Sequence, residues 1–283
     1  MTKIKILGNP GKHNVEVVKK WLKEYLNKFN LSPEEIHLVF AKSLQEFIEI
    51  SKQSYGTPDL REEDTLGLWW EEKIFESIPG LSYFRKNARK EGLPPIILIK
   101  QDAKIPKEAI LDEISHMVED EIGWLKIKHG AYSLLKKNCV GISDNPLIEL
   151  DFFMFLTGEI TDFFSGEIKC KYGLAKEVME HKQMEIKHLA KHISVHEKRE
   201  KIYDFLITMA IAFETTFPPR CPKRENERKL EEMTIDCIRQ MLIEPLYRKI
   251  KSIISKLESP PKVANIYRCG AEIIELAQEF LEK

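Results

Sequence analysis

The chain has 283 residues, 43% of them hydrophobic and 31% charged, which suits one large folded domain or two smaller ones and excludes a disordered chain. Its 44 basic and 45 acidic residues leave a formal net charge of -1, so no global basic field draws it to nucleic acid or anionic lipid. The longest apolar run, around "FLITMAIAF", falls far below the roughly 20 residues that span a bilayer, and "MTKIKILGNPGKHN" lacks a signal-peptide core. The expected setting is cytoplasmic, with no nucleic-acid or membrane partner.

The elements follow in chain order. "KIKIL" alternates as a short strand, and a helical period then runs from about Asn14 to Phe29. "SPEEIHLVFA" reads as a second strand and "SLQEFIEISKQ" as a short helix, which together suggest a small sheet with a helix packed on it. Tyr55 to Asp64 reads as a loop, and Trp69 and Trp70 open a further helical stretch, as core anchors or as an aromatic wall for a substrate. "LPPIILIKQD" is the clearest strand, with Ile96 to Ile99 as an unbroken apolar run. Pro106 then suits a helix start, and Asn145 with Pro146 forms a cap and first-turn pair for another. From there helices dominate, near 228 to 257 and 262 to 282, with Thr215 to Glu227 as the most linker-like segment.

The expected fold is therefore α+β: a small N-terminal sheet with packed helices over 1–142 and a predominantly helical half over 143–283. Interspersed Lys and Glu, as in "KKWLKEYLNKF", are common in proteins from hot environments. Five cysteines, Cys139, Cys170, Cys221, Cys237 and Cys269, include no CxxC pair, and their odd number argues against a disulfide framework.

The stretch with most chemical content is "ILDEISHMVEDEIGW", from Ile110 to Trp124. At about 100° per residue, Asp112, Glu113, His116, Glu119 and Asp120 share one arc of about 120°. Leu111, Ile114, Met117, Val118, Ile122 and Leu125 lie opposite. A solvated acidic face is the plain reading. The order of residue types adds another, because "DEISH" resembles the active-site helix of the zincin metallopeptidases, whose HExxH motif grips zinc through two histidines with a glutamate beside them as general base. The resemblance covers Leu93 to Gly173 and departs from the motif at one ligand, where Asp112 replaces the first histidine.

On that resemblance Glu113 is the base, and Asp112 and His116 are zinc ligands. A gluzincin-like third ligand falls on Glu159, with Asp162, Glu119 and Asp120 as carboxylates behind the ligands. "PPIILIKQD" stands where zincins carry the strand that pairs with an extended substrate. An inverted register, "HMVED", resembles HxxEH, with His116 first, Glu119 as base and Asp120 in the last place. The implied function is a zincin-like protein with a degenerate site, either a divergent metal-dependent peptidase or hydrolase or an inactive relative holding a peptide or protein segment by strand addition along Ile96 to Ile99. The competing class is a non-enzymatic helical interaction protein with an acidic helix face.

Three further features are weaker. His188, His192 and His196 form an i, i+4, i+8 ladder, with His181 in the same segment, which would suit a transition metal or a plain surface. Cys221 lies in a basic loop that would lower its pKa. "ILGNPGKHN" has two glycines but not the phosphate-loop spacing.

Overall fold

The computed structural model describes residues 2–55, 81–84, 94–101, 103, 105, 107–143, 145–195, 201–222, 224–240 and 243–282. Trp69, Trp70 and His196 lie outside these residues, as does the loop expected after Tyr55. The chain divides into two compact units, residues 1–126 and 127–283. The division falls just inside a helix that begins at Trp124, whereas the sequence reading draws its boundary after residue 142.

The first unit contains strand β1 (Lys3–Gly8), helix α1 (Val15–Lys28), β2 (Glu35–Ala41), α2 (Leu44–Tyr55), β3 (Leu81–Phe84), β4 (Ile96–Lys100) and α3 (Lys107–Glu121). Helix α1 starts where the Asn14 side chain accepts the Val17 N–H, as expected of a residue that satisfies an otherwise orphaned donor. The strands form one sheet in the order β1-β2-β4-β3. β1, β2 and β4 run parallel, with Lys3 opposite Glu35 and His37 opposite Ile96, and β3 runs antiparallel to β4, with Leu81 opposite Ile99.

This order corrects the strand-addition expectation. Both backbone edges of β4 are already taken, by β2 and by β3, so Ile96 to Ile99 offers no ladder to a peptide. The terminal strand on that side, among the described residues, is β3. Interior placement also explains the composition of β4, since Ile96, Ile97, Leu98 and Ile99 are all fully buried and need no alternation. Val39, Ala41, Ile96 and Leu98 pack with Leu44 and Phe47 of α2. Helix α3 packs along α1 and against β3. At its start Lys107 Nζ stands 2.7 Å from Glu24 and lies over the Tyr25 ring.

Helix α4 (Trp124–Leu135) leads into the second unit, which continues with α5 (Pro146–Lys171), α6 (Ala175–Val195), α7 (Lys201–Glu214), α8 (Arg224–Gln240), α9 (Glu244–Ile254) and α10 (Val263–Glu282). The apolar run "FLITMAIAF" belongs to α7, which touches α5, α6, α8, α9 and α10. It is apolar because it is the hub of a helical core: Phe205, Met209, Ile211, Ala212 and Phe213 are buried. No described helix is long and apolar enough to cross a membrane.

Two readings of this half need correction. The stretch 228–257 contains two helices, with Pro245 in the first turn of α9. The first part of the linker-like segment belongs to the core, with Thr215, Thr216, Phe217 and Cys221 buried. The cysteine reading changes with it, because Cys170 and Cys221 form a disulfide across a Cα separation of 5.3 Å. Cys139 and Cys269 are buried free thiols, and burial pushes each up to about 12.

Candidate functional site

Helix α3 turns Ile110, Leu111, Ile114, Met117 and Val118 into the core, which fixes where its polar groups emerge. They emerge differently from a solvated face. Asp112, Glu113, His116 and Asp120 are half-buried, Glu119 is fully buried, and Ile122, assigned to the apolar side, is exposed. Ser115 Oγ donates to the Asp112 carbonyl at 2.7 Å, so the small hydroxyl residue is satisfied within its own turn.

The defined contact is between His116 and Glu119. His116 Nδ1 lies 3.0 Å from Glu119 Oε2, one turn further along the same face. A carboxylate accepts only, so this bond selects the imidazole form that carries its proton on Nδ1. The lone pair of the neutral ring then sits on Nε2. This is the arrangement by which a carboxylate orients a ligating histidine, and it raises the basicity of the opposite nitrogen. Asp112 precedes His116 by four residues and so shares its side of the helix.

Glu159 and Asp162 lie on α5, in the second unit, whereas Asp112, Glu113, His116, Glu119 and Asp120 lie in the first. Glu159 is half-buried and Asp162 exposed. Burial holds the Glu159 carboxyl well above the usual carboxylate range, Glu214 and Asp162 raise it further, and Lys182 opposes them. A carboxylate in so apolar a stretch needs a counter-charge nearby. Lys182 is that neighbour, itself buried and donating to the Phe213 carbonyl at 3.0 Å, with Glu214 Oε2 at 3.5 Å. Glu214 was missed, and no local spacing could have found it, since α5, α6 and α7 meet only through the fold.

Among the described residues no group of three or more His, Cys, Asp or Glu side chains is placed to hold a metal ion. A cavity of about 590 Å³ opens between α8 and α9. Its three cations already face carboxylates, Arg228 with Glu232, Arg248 with Glu244 and Lys251 with Glu231, so it offers little net field to a charged ligand. Set against known proteins, this chain matches no family model, no curated protein and no solved structure.

Proposed function

We propose that the protein is a zincin-like, cytoplasmic protein whose α3 face forms an altered metal site. The observation that carries this reading is the bond from His116 Nδ1 to the buried Glu119, which is where a histidine that ligates through Nε2 needs its support. Asp112 and His116 would hold the metal from α3, with Asp120 as an outlying carboxylate on the same helix. The half-buried position of Asp112 and His116 fits zinc, which takes imidazole and carboxylate ligands and favours a site shielded from bulk water. Bound zinc would supply Lewis acidity toward water and a scissile carbonyl.

The chain's own residues have distinct parts in this scheme. Glu119 keeps His116 in one tautomer and one rotamer. Glu113, next to Asp112 and half-buried, would take the proton from the attacking water and return it to the leaving amine. Asp112 adds an anion that a histidine would not, and this weakens the Lewis acidity available to the reaction. Slow hydrolysis, or peptide binding without turnover, is therefore the expected behaviour. An extended peptide would pair with β3, the terminal strand among the described residues, which packs beside α3.

The test is metal content by elemental mass spectrometry on protein purified without an affinity tag and supplied with zinc, beside His116→Ala and Asp112→Ala. Near-stoichiometric zinc lost in both variants supports a shared site. Zinc lost only in His116→Ala removes Asp112 from the ligand set. No zinc in the wild type leaves α3 as the acidic face of an interaction protein.

A further inference from the structure

The C-terminal turns of α5 and the segment entering α8 are joined three times over. Gly166 lies against Pro218, close enough that a Cβ at 166 would touch the Pro218 ring at 3.4 Å, an ordinary contact. One residue on, Glu167 is buried, accepts the Arg220 backbone N–H at 2.9 Å and stands 3.0 Å from the Arg220 guanidinium. One turn later comes the Cys170–Cys221 bond. Around it pack Val178 and Ile186 of α6, Phe217 and Leu230.

We infer that Cys170 and Cys221 form a reversible thiol–disulfide couple that locks the α7–α8 connection onto the end of α5. Two features argue for reversibility rather than a permanent staple. Non-covalent contacts already hold the two cysteines opposite one another, so the reduced pair stays poised for closure. The two residues also differ in exposure: Cys170 is half-buried whereas Cys221 is buried. Attack from solvent therefore falls on Cys170.

In that step the thiolate of a small dithiol bonds to the Cys170 sulfur while the Cys170–Cys221 bond breaks, and the Cys221 sulfur departs as thiolate and takes a proton. The second thiolate of the reductant then attacks its own sulfur in the mixed disulfide and releases Cys170. Two electrons and two protons pass to the protein, and the reductant leaves as a cyclic disulfide. Cys139 and Cys269 stay out of the exchange, because both are buried with thiols pushed up to about 12. This couple is independent of the α3 site.

What the bond controls is the docking of α8. The disulfide closes a 51-residue separation that contains the whole of α6 and α7, and Leu230 and Met233 of α8 pack on the cluster around it. Breaking it removes the covalent tie on α8 and leaves the hub helix α7 in place.

The experiment equilibrates the full chain in buffers of reduced and oxidised dithiothreitol and reads thiols by alkylation and mass spectrometry, with deuterium uptake of each end state. The expected result is paired alkylation of Cys170 and Cys221 only after reduction, a folded reduced protein, faster uptake over 216–235 than in α7, and return to the oxidised form on reoxidation. Cys170→Ser with Cys221→Ser should match the reduced wild type and ignore dithiothreitol. Glu167→Gln should shift the couple about tenfold toward the reduced form, by weakening charge-assisted contacts. Thiols that stay open under oxidised dithiothreitol, loss of the fold on reduction, or unchanged uptake over 216–235 would each overturn the inference.

Discussion

Glu119 and Glu167 are both glutamates in helix interiors with essentially no exposed surface, yet they serve different ends. Glu119 bonds a histidine three residues away on its own helix, so it orients a side chain. Glu167 accepts a backbone N–H and pairs by charge with a guanidinium, both 53 residues away, so it holds a segment of chain. A buried carboxylate needs a partner wherever it sits; whether the partner is local or distant separates an orienting role from a fastening one.

The sharpest way to test that contrast is to remove each acceptor. Glu167→Ala should cost the second unit about 2–3 kcal/mol in urea unfolding, because charge-assisted bonds are lost and the Arg220 N–H is left without its acceptor. A loss under about 0.5 kcal/mol would make the fastening role untenable. Glu119→Gln should cost less, about 1 kcal/mol, since the amide oxygen still accepts from Nδ1. Its clear effect should be on His116, where nitrogen NMR shifts would report a mixed tautomer in place of one protonated at Nδ1. An unchanged tautomer would mean that something other than Glu119 sets the ring.

A third buried group extends the comparison with the smallest effect. His37 is buried in β2, with Tyr55 Oη 2.7 Å from its Nδ1 and Glu35 at 3.5 Å from Nε2. Burial lowers its pKa below the usual imidazole value of 6.5, outweighing the attraction of Glu35. The unfolded chain therefore takes up a proton first as pH falls below 6.5, and stability drops until the folded-state pKa is passed. An NMR titration of His37 should show a midpoint below 6.5; a midpoint above it would mean that Glu35, not burial, governs the ring.

The parts of this fold that the sequence disclosed are those specified locally. Helix α1 was expected from about Asn14 to Phe29 and runs Val15–Lys28, because its cap and its apolar stripe lie within its own residues. The mixed class, with strands first and helices after, follows from the same periodicities. The wheel placed Glu119 among the acids but could not show its burial, which depends on what α3 packs against. β3 escaped notice because four residues, "LSYF", become a strand only by pairing with β4. Pro245 was a legible sign that 228–257 is broken, since a proline belongs in a first turn and not in a helix interior. The Cys170–Cys221 pairing had no such sign, because five cysteines without spacing rules leave every pairing open.

The parallel arrangement of β1, β2 and β4 also sets the order in which the first unit can be completed during synthesis. β2 leaves the ribosome with Ile36 and Leu38 to Ala41 apolar and can pair at once with β1, but its other edge waits until Ile96 to Lys100 have been made. Through that interval a nascent chain carries an uncovered apolar strand edge, which is when it is most open to association with other chains and to chaperones.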